Sequence, residues 1–400
     1  MQRFLFATGI EGSYPVVSGR DGLDLRVDEM EKTGHYRRWK DDLRLVRALG
    51  IDALRCGPPY YKVHLGPGRY DWDFADAFFA EVQHLHIKPI VDLCHFGLPD
   101  WLGNFQNPEF AHFFAEYAGA FAQRFPWVEL YTPINEIYVT AKFSAHEGLW
   151  NERLRSDRAF VTAIKHLAKA NILATEAILK VQPTARFIQS ESSEYFHPCG
   201  PDAVNVARHM NDMRFLALDL TYGHDVYARM YEFLLDNGMT RDEYHFFLDR
   251  SVKPVCIMGN DYYATNEHIV YPDGSTFVCE MFGYYVITQQ YYDRYRIPVM
   301  HTETNNRDAG NGEKDARVWL EKQWSNLLRL KADGVPILGF TWYSLVDQVD
   351  WDSSLAVDAG NVNRYGLCDL ERRVRPVGEA YRDLIHTWKH RISNDFICLR

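Results

Sequence analysis

Short apolar runs return at intervals along the chain, and each is followed by a longer stretch in which apolar residues recur every three or four positions. The runs at 4–10 (FLFATGI), 52–57 (DALRCG), 88–96 (KPIVDLCHF), 128–136 (VELYTPINE), 185–192 (ARFIQSES), 254–263 (PVCIMGNDYY), 297–303 (IPVMHTE) and 336–344 (PILGFTWYS) read as eight buried strands. Helical spacing falls between them at 37–50, 108–125, 160–181 and 315–334, and again at 375–392 after the last run. Several of these stretches stop at a Gly, or just before a Pro that opens the next strand, as helix C-termini do.

Strands that alternate with helices pair in parallel through crossover connections. Eight such units predict a closed (β/α)8 TIM barrel. An open doubly wound sheet would carry a Gly-rich phosphate loop after its first strand, and "ATGIEGSYP" lacks the G-x-G-x-x-G spacing. Neither a linker-like run nor an internal repeat divides residues 1–400, so the expectation is a single domain. A minimal barrel takes about 250 residues. The remainder belongs in loops at 57–87, 136–159, 192–253, 264–285 and 345–374. Loops that follow strands lie on the face where barrel enzymes keep their chemistry.

Composition narrows the function. The chain is 46% hydrophobic and 24% charged, which suits a water-soluble protein with a large core. Its net charge of −10 is spread without a basic block, which argues against a nucleic-acid surface. The seven cysteines, at 56, 94, 199, 256, 279, 368 and 398, form no C-x-x-C pair and read as reduced thiols of a cytoplasmic protein. The N-terminus lacks the long apolar stretch and cleavage site of a secretory signal, and no segment is long enough to span a bilayer. Sixteen histidines invite a metal site. However, "HLH" (84–86) and "HTWKH" (386–390) lack the H-E-x-x-H form and an acidic partner at ligand spacing, so solvated helix faces are expected and no metal or cofactor.

Two strand tips are anomalous. The fourth run ends on Asn135 and Glu136, and the seventh ends on Glu303. A buried strand gains nothing from an unpaired carboxylate, whose burial costs several kcal/mol or more (~5). In an eight-stranded barrel the fourth and seventh tips face each other across the mouth. Two facing carboxylates suit glycoside hydrolysis: one protonates the leaving oxygen, and the other attacks the sugar carbon or activates water.

At these residues the chain resembles glycoside hydrolase family 1, within the wider clan of retaining (β/α)8 glycosidases. "YTPINE" (131–136) resembles the T-x-N-E acid/base motif and "HTETN" (301–305) the T-E-N-G nucleophile motif. "HFGLPDWL" (95–102), "MGNDYYAT" (258–265), "GFTWYSLVDQVDW" (339–351) and "RYGL" (364–367) resemble further family segments, in the right order. The resemblance implies Glu136 as general acid/base and Glu303 as nucleophile, with no cofactor. It implies that Asn135 binds the sugar 2-hydroxyl and that Arg55 holds Glu303 ionised. It further implies that Tyr263 donates to Glu303, that His95 and Asp350 bind hydroxyls, and that Trp351, with Trp342 as a second candidate, walls the sugar.

Departures from the family cluster around sugar recognition. No Gln stands near the end of the first strand. Phe96 replaces a Trp, Tyr343 replaces another, Asp350 stands for a Glu, and Asp261 stands for the strand-six Asn. The phosphosugar branch typically carries a Lys and a Tyr after the last strand, and residues 350–367 contain no Lys. Glu11, Glu191 and Glu194 lie near other strand ends, where helix capping or solvent exposure is the expected role. The implied activity is hydrolysis of a small β-linked carbohydrate with retention. The same pair would serve a transglycosylase or a hydrolase of an unusual glycoside, and a carbohydrate-binding barrel without turnover is the alternative outside the enzymes.

Overall fold

A computed structural model describes residues 3–307 and 314–394, so Cys398 lies outside the described residues. Eight parallel strands close into a barrel in chain order: β1 (Leu5–Gly9), β2 (Ala53–Cys56), β3 (Lys88–Asp92), β4 (Leu130–Thr132), β5 (Arg186–Ser192), β6 (Cys256–Asp261), β7 (Val299–Glu303) and β8 (Ile337–Trp342). β1 pairs with both β2 and β8, which seals the ring. Each strand lies inside one of the eight runs expected from the sequence.

The third and fourth runs are shortened most. Beyond Asp92 and Thr132 the ladder becomes irregular. Leu93 N–H donates to Thr132, Asn135 N–H to Cys94 and Glu136 N–H to Ser190, at 3.1, 2.9 and 3.0 Å. These bends carry residues 93–96 and 133–136 over the barrel mouth rather than along its wall.

Period-two alternation builds the interior in layers. Leu5, Ala7, Ala53, Ile90, Leu130, Ile188, Ile257, Met300 and Leu338 form one apolar cluster inside the ring. Two residues farther along their strands come Arg55, Asp92, Thr132 and Ser190, all buried. The layer nearest the mouth is therefore polar. On β7 strict alternation would turn Glu303 outward with His301, whose ring stacks on Tyr284 at 3.9 Å. A register irregularity between Asn260 and Asp261 sets Glu303 directly beside Asp261 instead. Bulges of this kind re-aim side chains next to functional sites.

The outer ring contains α1 (His35–Ala48), α2 (Asp73–His84), α3 (Phe110–Arg124) and α4 (Asp157–Val181). Next come α5 (Val204–Met213), α6 (Leu216–Tyr222), α7 (Ala228–Asp236) and α8 (Arg241–Asp249). α9 (Gly283–Tyr295), α10 (Lys314–Ala332) and α11 (Pro376–Trp388) complete it. The expected helices correspond to α1, α3, α4, α10 and α11. Segments read as loop hold α2 and α5 to α8, and α9 starts at the end of the 264–285 loop and runs on through residues given no element from the sequence. Within 57–87 lies α2, whose buried Ala75, Phe78, Phe79 and Val82 follow helical spacing in the sequence itself. The 192–253 segment holds α5 to α8 and a strand, Tyr195–Pro198, which pairs with Glu267–Val270. Among the described residues, no helix is long and apolar enough to cross a membrane.

Gly57, just past β2, shows how tightly the mouth is built. A Cβ there would lie 1.6 Å from the Asp92 carbonyl oxygen. Gly57→Ala should therefore cost about 1–3 kcal/mol or more through overpacking. Calorimetry should find Tm lowered by several degrees, and an unchanged Tm would contradict this close approach.

Candidate active site

Glu136 follows β4 in a left-handed conformation, φ 39° and ψ 68°, unusual for a residue with a side chain. Its carbonyl accepts from Thr140 N–H at 2.8 Å and opens the short helix Ile137–Ala141. That sharp turn swings the side chain over the barrel. Glu303, the last residue of β7, meets it there. One carboxylate oxygen each from Glu136, Asp261 and Glu303 lie within 4.8 Å of one another. The two glutamates are 8% and 4% exposed.

Their surroundings differ. Both Glu303 oxygens accept hydrogen bonds: Oε1 from the Arg55 guanidinium and Oε2 from the Tyr263 hydroxyl at 2.6 Å. Among the described residues nothing donates to the Glu136 carboxylate. Burial pushes the Glu136 carboxyl well above the usual carboxylate range, and the charges of Asp261, Glu303 and Glu191 push it further. One acid is thus held by donors, and the other is left to keep its proton.

Arg55 organises the floor. Its Nη1 also donates to Ser190 Oγ at 3.0 Å, and its Nη2 to Asp92 Oδ2 at 2.8 Å and to Asn135 Oδ1. Asp92 Oδ2 lies 2.7 Å from His95 Nδ1, while the Asn135 amide nitrogen faces His95 Nε2 at 3.2 Å. Those partners suit an imidazole that donates from Nδ1 to Asp92 and accepts at Nε2. Burial pulls the His95 pKa down, but Asp92 and Glu11 override it and the net shift is upward. The Tyr343 ring lies parallel to His95 at 6.3 Å and carries Arg55 above its face at 5.5 Å.

Arg55, His95, Asn135, Glu136, Tyr263 and Glu303 are therefore brought together. Trp351 is half-buried near Phe96 and Trp150, with ring centroids at 5.9 and 6.2 Å, and its indole N–H has no partner. Two candidates are not brought to the site. Trp342 is fully buried in the hydrophobic core, where its indole N–H donates to the Tyr365 carbonyl at 2.9 Å. Asp350 turns away to cap its own loop. Its carboxylate accepts from the N–H groups of Ala359, Gly360 and Asn361 at 3.1, 2.9 and 2.8 Å, and from Lys32 at 2.7 Å.

Glu11 departs from its expected exposure. It is buried, 3.5 Å from His95 Nε2, and accepts from Ser13 N–H and Gln348 Nε2. Glu191 does cap a helix, since both its oxygens lie within 3.3 Å of Tyr138 N–H. Glu194 lies 3.6 Å from Lys142. Asp92 and Ser190 were not singled out from the sequence. The signal that exposed Glu136, a charge at the tip of an apolar strand, also marks Asp92 in "KPIVD".

Glu136, Asp261 and Glu303 are oxygen donors at a spacing that could hold a hard cation. The Arg55 guanidinium already supplies positive charge to Glu303 at that spot. The geometry sets a carboxyl whose proton is favoured within 4.8 Å of a donor-held carboxylate, above a polar floor of hydrogen-bonding groups. That arrangement can deliver a proton and a nucleophile to opposite sides of one bond.

The model for "Glycosyl hydrolase family 1" matches residues 27–237, more than half of the chain. The 6-phospho-beta-glucosidase AscB of Escherichia coli is 24% identical, over 88% of this chain and 82% of that protein. Beta-glucosidase A of Thermotoga maritima is 22% identical, over 88% and 86%. Among solved structures, the beta-glucosidase from Thermotoga maritima in complex with deoxynojirimycin superposes with a TM-score of 0.82. It is 20% identical, and the match covers 96% of this chain and 97% of that one.

Protonated burial of Glu136 has a thermodynamic signature. A carboxyl whose pKa is raised by folding binds its proton more tightly in the native state. Stability is then lost as pH rises from the unfolded value, about 4.3, through the folded one. Glu136→Gln removes that penalty. Its Tm should exceed that of the unsubstituted protein by a margin that widens between pH 5 and pH 8. A pH-independent margin in thermal melts would show that the carboxyl is not shifted.

Proposed function

The chain belongs to glycosyl hydrolase family 1, and on that footing we propose that it is a β-glycosidase of small β-linked carbohydrates in which Glu303 is the nucleophile and Glu136 the general acid/base. The observation that carries these roles is the approach of the two carboxylates within 4.8 Å, which matches the short separation of retaining pairs, about 5–5.5 Å. In the first step a Glu303 oxygen bonds to the anomeric carbon while the bond to the aglycone oxygen breaks, and that oxygen takes the Glu136 proton. In the second step water attacks the same carbon, Glu136 takes its proton, and the Glu303 ester is released.

The two steps ask opposite things of Glu136. Before the first, the charges of Asp261, Glu303 and Glu191 favour its protonated form. Esterification removes the Glu303 charge, so the proton is held less tightly when Glu136 must act as base. Arg55 and Tyr263 keep Glu303 oriented, and Asn135 and His95 are the floor groups within reach of sugar hydroxyls. The half-buried Trp351 offers an apolar face to the sugar.

The glycone we assign is not phosphorylated. Residues 351–367 supply no Lys, and Lys32 is paired with Asp350 and Asp358 at 2.7 Å each. A reducing cytoplasm fits the cysteines, since Cys56, Cys94, Cys199, Cys256, Cys279 and Cys368 are all unpaired. The catalytic unit is one barrel domain spanning residues 1–400, with a small carbohydrate as its partner rather than nucleic acid or membrane.

A 2-deoxy-2-fluoro aryl β-glycoside should trap the enzyme, with the label on a peptide containing Glu303. Tight binding without labelling or turnover would mean a barrel that binds sugar but does not cleave it. Glu136→Gln should lower kcat/KM on glycosides with poor leaving groups by about 10²–10⁴, but far less on dinitrophenyl glycosides that need no protonation. Equal losses on both would refute the acid assignment.

A further inference from the structure

Asp261 takes no direct part in the two bond-making steps above, yet its carboxylate shares the barrel mouth with both proposed catalytic groups. It is fully buried at the end of β6, beside Glu303 in register. Its oxygens belong to the same 4.8 Å group as those of Glu136 and Glu303. Ser190 Oγ lies 2.8 and 2.6 Å from its two oxygens. That hydroxyl also accepts from Arg55, which links Asp261 to the guanidinium through one intervening oxygen.

The charges facing it are few. Across the neighbouring strands stand Glu303 on β7, Glu191 on β5 and Glu136 beyond β4, all carboxyls. Arg55 on β2 is the positive group that acts on it, and the phenols of Tyr263 and Tyr284 border it. Arg55 is already shared with Glu303 and Asp92. One guanidinium cannot neutralise this set of carboxylates, so protons must be held among them. Burial, with the Glu303 charge, pushes Asp261 up to about 7.

We propose that Asp261 is a third ionisable member of the catalytic cleft, a positioning residue whose negative charge holds the proton on Glu136 and so extends activity toward alkaline pH. This rests on the roles given above to Glu136 and Glu303. Glu136 and Asp261 then titrate as a pair, and the alkaline limb of kcat/KM belongs to the pair rather than to one residue. An amide at 261 keeps the shape and removes the charge. Two unit charges about 5 Å apart at a partly screened site shift each other's titration by about one pH unit or more.

The test is the pH profile of Asp261→Asn on an aryl β-glycoside with a poor leaving group. The alkaline limb should move down by about one pH unit or more. On a dinitrophenyl glycoside, which needs no acid, no such displacement should appear. A uniform fall in rate with an unmoved limb would reduce Asp261 to a packing role and overturn the proposal. Labelling of Glu303 by the fluoro-glycoside separates the two readings. If Glu303 is not labelled, the catalytic assignment itself fails. If it is labelled and the limb stays put, only the role of Asp261 fails. A second measurement needs no substitution. With aspartate carboxyls labelled by ¹³C in the unsubstituted enzyme, one resonance should titrate near neutrality and move to lower pH once Glu303 is esterified. The absence of such a resonance would equally overturn the proposal.

Discussion

One guanidinium holds the mouth of this barrel together. Arg55 rises from β2 and donates to groups on or just beyond four other strands: Asp92, Asn135, Ser190 and Glu303. Burying a charge costs several kcal/mol after relaxation, on the order of 3–5 when its partner is lost. The fork therefore tolerates little displacement of those strand ends. Arginine suits this post better than lysine, because its planar donors reach several acceptors at fixed angles without losing charge. Glu136 stands opposite with no such partner. The difference between the two glutamates is a difference in donors, set by where one cation sits.

Much of this could be read from the amino acids. The eight strands announce themselves as apolar runs, because a parallel barrel buries both faces of every strand and leaves no polar alternation to blur them. Glu136 and Glu303 were legible because they end such runs in charge. The helices of the 192–253 segment were harder to see. α5, for example, buries only Ala207, Asp212 and Met213, too few apolar positions for a clear period. The inward turn of Glu303 was also invisible, since it depends on an irregularity opposite β6 that no spacing within β7 reveals.

The sugar-binding periphery was the least legible part. Position 350 carries the residue type a hydroxyl ligand needs, but its carboxylate is spent on three backbone N–H groups and Lys32. Such groups must be satisfied somewhere when loops are buried. A shorter side chain than the family's glutamate meets them at the expense of the cleft. Meanwhile Glu11, in the segment where a Gln was missing, points inward and pairs with Gln348. Asp350 and Glu11 thus find their partners within the loops around the mouth, while Arg55, His95 and Asn135 meet on its floor.

The left-handed turn at Glu136 sets stability against activity. A side chain there costs about 1–3 kcal/mol of backbone strain, which a glycine would relieve. Lineages grown under selection for heat tolerance alone would therefore drift toward glycine at this codon, and toward an uncharged residue wherever a carboxyl is buried without a cation. They would keep the barrel and its melting point while turnover decayed. A glutamate held at so awkward a bend gives up backbone stability to set a carboxyl over the barrel mouth.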